Sequence, residues 1–362
     1  MESLQTQKTL FKSPLFLLLL ITLFGAIVRI WSFWTDPPHL DETYTLNLMQ
    51  NSWVEIVRFS LTNDCNPPLF YLIDWVSTQM FGINMFAERL PSVIFGILLI
   101  PAAYKLGLEY KGETLGLLSA LAVSTLGSMW YYSQFGRAYM LECLLFTVAM
   151  VYYVRLIRGD SRTYHWAAFA ILSAVLAFTH LFSVIPLTFL WVYLIWLYAF
   201  DAIKWAVVTF VLASPLLLLF YAIFTSRMAG RMGMWYGPPL SHLIIFAPLE
   251  FFGYVFMFWI GLIAFSIYLY WWKMREVSVI IVTSILSYAT LLSICNITPV
   301  FIRYILLMVP AWVVIGLLPV SQFVDSEDAT HAQKWFVVGS FALCYFIIIA
   351  FSIYSGLYRP KG

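Results

Sequence analysis

Long apolar stretches alternate with short polar ones along the whole chain. Uncharged runs cover Thr114–Gly136, Trp205–Ser226, Phe251–Trp272, Val277–Ile302, Tyr304–Val324 and Trp335–Tyr358. A run of about 18 or more apolar residues reads as a membrane-crossing helix, because that length matches the hydrocarbon thickness. Ahead of these, Pro14–Val28 follows Lys8 and Lys12 and continues through Arg29 to Trp34 without a small-residue cleavage site. It predicts an uncleaved first span with its amino end in the cytoplasm. The run Thr163–Phe200 is too long for one helix, and Thr179-His180 is its natural break.

The stretch between Thr35 and Arg89 is different. It holds Asp36, Asp41, Glu42, Glu55, Arg58, Asp64, Asp74, Glu88 and Arg89. Leu40–Leu61 spaces its apolar residues helically but keeps charges, as a helix lying on a membrane surface does. Pro67–Phe81 is apolar and short, and Asp74 reads as the wet side of an interfacial helix. The positive-inside rule arbitrates. With Pro67–Phe81 at the interface, the cytoplasmic turns collect Lys105, Lys111, Arg155, Arg158, Arg162, Lys204, Lys273, Arg275 and Lys334; if it crossed, most of these would face outside. The expectation is an all-α polytopic membrane protein with about eleven spans, the amino terminus inside and the carboxyl terminus outside. The spans fall near residues 14–34, 90–108, 113–131, 137–156, 164–179, 181–200, 203–224, 250–271, 277–296, 303–319 and 335–355.

Composition agrees. Of 362 residues, 62% are hydrophobic and only 10% charged, against about 25% charged in soluble domains. A soluble globular chain and a disordered one are both excluded. The net charge of +2 points to no partner, and no Lys/Arg block suggests nucleic acid. The four cysteines, Cys65, Cys143, Cys295 and Cys344, fit no metal-ligand spacing. Cys65 and Cys295 share an expected side of the membrane. No internal repeat is visible, and no separate soluble domain is expected.

Under this topology several costly residues gather at the extracytoplasmic face: Asp41 and Glu42, Asn66, Arg89, Arg137, His180 and Arg303. A charge at mid-membrane costs about 2.5–3.5 kcal/mol even on the lenient insertion scale, so such groups line aqueous cavities or pair with one another. They come from separate segments, which favours a shared site. Each arginine also has a plainer reading, because it stands at an expected helix end where Arg snorkels to headgroups. Glu142, inside a span, reads as a buried structural partner, and His180 as a packing residue at a helix break. Asp41-Glu42 follows Pro37-Pro38-His39-Leu40 and opens an apolar helical stretch, so a helix-capping role stands beside a catalytic one.

At these residues the sequence resembles the polyprenyl-phosphate-dependent membrane glycosyltransferases of the GT-C superfamily. The resemblance is greatest to the family 39 group of protein O-mannosyltransferases and lipid A aminoarabinose transferases. Asp41-Glu42-Thr43-Tyr44 resembles the Asp-Glu-x-Tyr motif of the first external loop. Asn66-Pro67-Pro68-Leu69-Phe70-Tyr71 resembles a His-Pro-Pro-Leu-Tyr-Tyr segment, with Asn66 in place of His. Arg89-Leu90-Pro91-Ser92, followed by Gly96, resembles the Arg-x-Pro-Ser start of the next span. The stretch Tyr131 to Tyr139 resembles Tyr-Ser-x-x-Ala-Arg-x-Tyr, with weaker echoes at Thr179-His180 and at Arg303-Tyr304-Ile305-Leu306-Leu307.

The resemblance implies a GT-C-like fold with two juxtamembrane helices in external loop 35–89. Residues 1–200 would form the catalytic module, and residues 201–362 would complete the donor and acceptor cavity. It implies inverting transfer of a hexosyl or pentosyl group from a dolichyl or undecaprenyl monophosphate to an acceptor hydroxyl of protein, lipid or glycan, on the extracytoplasmic face. Asp41 would be the base and Glu42 its neighbour. Arg137 and Arg303 would hold the donor phosphate, with Arg89 third. Tyr44, Asn66, Tyr139 and His180 would contact sugar or lipid. Paired guanidinium donors suit phosphate, and no acidic cluster demands a divalent metal, although metal dependence and oligomeric state stay open. The rival readings are a lipid-linked sugar or small-molecule transporter or flippase, and a non-catalytic subunit of the same fold.

Overall fold

The computed structural model describes residues 13–31, 33–62, 66–228, 251–252, 256–294 and 302–334, with 336–337 and 339–340. Among the described residues the regular structure is entirely helical. The first helices are α1 (Pro14–Ile30), α2 (Leu40–Leu48), α3 (Trp53–Thr62), α4 (Pro68–Phe81) and α5 (Met85–Lys111). Then come α6 (Glu113–Thr125), α7 (Gly127–Ser133), α8 (Tyr139–Ile157), α9 (Thr163–Thr179), α10 (Val184–Tyr198) and α11 (Phe200–Met228). The series closes with α12 (Phe256–Tyr270), α13 (Arg275–Ile294), a 3-10 turn (Ile302–Met308) and α14 (Val309–Asp325).

Five helical stretches among the described residues are long and apolar enough to cross a membrane, and α6 with α7 makes a sixth if that bent pair is one span. α1, α9 and α12 are apolar but shorter. The chain is an integral membrane protein by this pattern; the eleven-span count goes beyond what these helices establish. Most of the span expected at 335–355, and Cys65, Cys295 and Cys344, lie outside the described residues.

Loop 35–89, expected to hold two juxtamembrane helices, carries three short helices. The surface helix expected over Leu40–Leu61 is interrupted, because Ser52 and Glu55 cap a new one. The Glu55 carboxylate accepts from the Ser52 N–H at 3.0 Å, and the Ser52 hydroxyl accepts from the Glu55 N–H at 3.3 Å. α4 has 14 residues, about 21 Å of helix, too short to cross. Its Asp74 is fully buried, so the wet-side reading gives way. The core runs through α5, α6, α8, α9 and α14, with α5 packed along α6 and α8, and α8 along α9.

α6 and α7 meet at a 58° bend without a proline. The Ser124 and Thr125 hydroxyls donate back to the Leu121 carbonyl at 2.7 and 2.8 Å, a habit that bends helices. Carbonyls at the end of a helix lack intrahelical donors, and Arg29 of α1 supplies them. Its Nη2 donates to Val123 O at 3.0 Å and its Nη1 to Ser124 O at 2.9 Å, while Nε donates to Ser133 Oγ at 3.1 Å. Arg29 is fully buried, so its charge is solvated by the bend it stabilises. Gly96 of α5 makes room for this arrangement: a Cβ there would stand 2.0 Å from Ser133 Oγ and 3.2 Å from Arg29 Nε.

Candidate active site

The turn after α7 is where distant segments meet. α2 starts with a capping box: the Asp41 N–H donates to His39 Nδ1 at 3.3 Å, and Glu42 Oε2 accepts from the His39 N–H at 2.9 Å. Glu42 is fully buried. It accepts from Arg89 Nε at 2.7 Å and Nη2 at 2.6 Å, a bidentate pair, and from the Gly136 N–H at 2.9 Å. The rest of the Arg89 guanidinium donates to loop carbonyls: Nη1 to Phe33 O and Asp36 O, Nη2 to Pro37 O. All five Arg89 donors are therefore engaged inside the protein, and Arg89, expected as a third phosphate ligand, instead ties loop, α2 and α5 together. Gly136 must be glycine, since a Cβ would stand 2.7 Å from Glu88 Cγ.

Asp41, next to this anchor, is only partly buried. Its Oδ2 lies 3.3 Å from Nη2 of Arg303, which reaches in from the 3-10 turn before α14. The Arg303 guanidinium lies over the Tyr139 ring at 5.6 Å. Arg137 follows Gly136. Its Nη1 donates to Thr45 Oγ1 at 3.0 Å and to the Tyr71 hydroxyl at 3.1 Å. The Thr45 hydroxyl in turn donates to Asp41 O at 2.9 Å. Beside Arg137 is a small, open pocket, also lined by Asn66, Phe70, Tyr71, Tyr139 and His180. Asn66 Nδ2 donates to the Tyr71 hydroxyl at 3.4 Å.

Asp41, Arg137, Arg303, Asn66, Tyr139 and His180 are thus brought to one end of the bundle. Tyr44 is not part of the pocket wall; it is half exposed and its ring packs 5.8 Å from that of Phe59. Sequence reasoning passed over Thr45 and Tyr71, the two hydroxyls that hold Arg137. Tyr71 closes the Asn66–Tyr71 motif, and Thr45 directly follows Asp41-Glu42-Thr43-Tyr44. It also passed over Glu88, which is fully buried and whose oxygens, like those of Asp74, have no hydrogen-bond partner among the described residues. Burial pushes the Asp74 carboxyl well up, with the Glu88 and Glu42 charges adding to the rise and Arg137 opposing it.

Among the described residues no three His, Cys, Asp or Glu side chains converge as ligands. Guanidinium groups occupy the space beside Asp41 and Glu42.

No protein-family model matches the chain, and no curated protein matches it in sequence. Solved structures do match in fold. ArnT from Cupriavidus metallidurans bound to undecaprenyl phosphate superposes with a TM-score of 0.63 at 14% identity, over 91% of this chain and 62% of that one. The Archaeoglobus fulgidus oligosaccharyltransferase complex with Zn and sulfate gives 0.58 at 15% identity, over 92% and 52%. AglB from the same archaeon, in complex with an inhibitory peptide and a dolichol-phosphate, gives 0.54 at 14% identity, over 93% and 54%. These neighbours are GT-C glycosyltransferases, and this chain has their fold. It spans between half and two thirds of their length.

Proposed function

We propose that this chain is an inverting membrane glycosyltransferase that moves a sugar from a polyprenyl monophosphate to an acceptor hydroxyl on the extracytoplasmic face. The observation that carries the reading is the meeting of Asp41 and Arg303 at 3.3 Å beside the pocket that Arg137 lines. A partly exposed carboxylate and two guanidinium groups supply what the reaction requires. Asp41 takes the proton from the acceptor oxygen as that oxygen attacks the anomeric carbon, and the carbon–phosphate-oxygen bond breaks on the opposite side. Arg137 and Arg303 stabilise the charge that grows on the departing phosphate, and paired N–H donors match its oxygens. Glu42 and Arg89 hold the first turn of α2 so that Asp41 has one position. Asn66, Tyr139 and His180 form the wall met by sugar or lipid, and Tyr44 stands at the rim.

The charges at the other end of the bundle support the sidedness. Arg155 pairs with Glu109 at 2.8 Å, Arg158 pairs with Glu276, and Lys111 ends α5. Arg89 and Lys111 are about 33 Å apart along α5, close to a hydrocarbon thickness. The lysine- and arginine-rich end is the cytoplasmic one by the positive-inside rule. The fold shared with ArnT, solved with undecaprenyl phosphate, and AglB, solved with dolichol-phosphate, supports the donor class. Mass spectrometry of lipid co-purified with the full chain tests the proposal. A polyprenyl phosphate, free or glycosylated, is the expected finding; purified protein that releases no such lipid and transfers no label from a radiolabelled polyprenyl-phosphate sugar would overturn it.

A further inference from the structure

A second acid–base pair stands in the pocket wall, apart from Asp41 and Arg303. Glu142 lies in the first turn of α8, and His180 occupies the extended break between α9 and the next helical turn. His180 Nδ1 is 3.5 Å from Glu142 Oε1. Glu142 is fully buried and His180 is 5% exposed. Among the described residues, neither Glu142 oxygen nor His180 Nδ1 has a hydrogen-bond partner. The imidazole is flanked by the rings of Tyr139, Phe182 and Tyr304, with centroids 5.9, 5.8 and 5.1 Å away. With Nδ1 turned to Glu142, Nε2 is the nitrogen left for the pocket that His180 lines.

We infer that Glu142 is a positioning residue that fixes His180 as a hydrogen-bond donor, through Nε2–H, to the phosphate of the ligand in this pocket. The inference rests on the donor class proposed above. An uncompensated carboxylate in this environment is costly, so the pair is most stable with no net charge. Two arrangements satisfy that. Glu142 donates its acid proton to Nδ1 while the ring keeps its own proton on Nε2, or the proton moves to Nδ1 and the imidazolium still carries Nε2–H. A donor faces the pocket in both. Only removal of one further proton turns Nε2 into an acceptor, and it leaves a net negative charge opposite a phosphate. Arg137 from the α7–α8 turn, Arg303 and Tyr304 from the 3-10 turn, and Tyr139 and Cys143 from α8 are the charged and titratable groups around the pair. Burial and the two arginines push the His180 imidazole down to about 3, which keeps it neutral and favours the arrangement with the acid proton on Glu142.

The test is equilibrium binding of undecaprenyl phosphate to the detergent-purified full chain across pH, with undecaprenol as the uncharged control. Wild type, E142Q, E142L and H180F are compared. The expected wild-type affinity for the phosphate lipid falls on the alkaline side as the pair loses its proton. E142Q still offers an amide N–H to Nδ1 but has no proton to lose, so it binds within about threefold of wild type at neutral pH and lacks that alkaline fall. E142L and H180F bind about tenfold more weakly or worse, the size of a hydrogen bond to a charged group. The second ionisation of the lipid phosphate is common to all four proteins and cancels in the ratio. An E142Q profile that falls like wild type, or H180F binding as tightly as wild type, overturns the inference while leaving the proposed function in place. Wild type that binds the phosphate lipid no better than undecaprenol removes both. If E142L and H180F do not fold, the E142Q profile decides alone.

Discussion

Asp41 Oδ2 and Arg303 Nη2 are 3.3 Å apart although 262 positions separate them in the chain. The contact joins the start of α2 to the 3-10 turn before α14, so the base proposed here and one of its proposed phosphate ligands come from opposite halves of the sequence. Asp41→Asn keeps the shape and removes the basic oxygen. Transfer from a labelled polyprenyl-phosphate sugar should fall by at least about a hundredfold, while affinity for the donor lipid stays within a few-fold. Turnover near the wild-type value in a folded Asp41→Asn protein would falsify the assignment.

The Thr45 and Tyr71 hydroxyls hold Arg137 at the pocket wall. Arg137→Ala should weaken donor-lipid binding by about ten- to a hundredfold, and Tyr71→Phe should do so by less, since it removes only one of the two restraints. Titration of each purified variant with undecaprenyl phosphate reads both. Equal affinity in wild type and Arg137→Ala would take this residue out of the site.

Glu42 and Arg89 belong to stability more than to chemistry. Removing one member of a buried, hydrogen-bonded pair costs about 3–5 kcal/mol, so Arg89→Leu and Glu42→Leu should each lower the unfolding temperature sharply. The double variant should be less damaged than the sum of the two. A thermal-unfolding cycle in detergent checks this, and strict additivity would mean the pair is not coupled.

Asp74 gives a pH dependence with a definite sign. Its carboxyl is raised on folding, so the folded state binds its proton more tightly than the unfolded state does. Stability therefore falls as pH rises from the ordinary carboxylate range towards the folded value. Asp74→Asn abolishes that slope. The variant should match wild type in acid and exceed it in unfolding temperature by a margin that grows towards neutral and alkaline pH. A margin independent of pH would contradict the burial argument.

Gly96→Ala would drive a methyl group into Ser133 Oγ. Overpacking of this kind costs about 1–3 kcal/mol, and α7 must shift to relieve it. Loss of stability together with weaker donor binding is the expected pair of results.

The membrane-crossing helices were legible because hydrocarbon penalises every charge, leaving the apolar runs plain in the sequence. For the same reason Asp41, Arg137 and Arg303 stood out. What stayed hidden depended on which helix faces which. Nothing local distinguishes Arg89, with its donors spent on Glu42 and three carbonyls, from Arg137, with its donors turned to Thr45 and Tyr71. The break of the surface helix at Ser52 was written in a Ser-x-x-Glu signal that the apolar spacing overrode. Asp74 looked solvated because a short apolar helix normally keeps one face wet; packing of α4 on α5 closes that face. Glu142 was legible as a buried group but not as the neighbour of His180, because the contact needs the bundle to bring α8 against the end of α9.

Arg29 gives α1 a duty that membrane anchoring alone does not require. By accepting the charge of that side chain, the carbonyls of Val123 and Ser124 make the tilt of α7 dependent on a residue about a hundred positions upstream. A chimera carrying a generic leucine-rich anchor in place of residues 14–30 would still be threaded into the bilayer, yet the turn after α7 would lose the strut that the Arg29 side chain supplies.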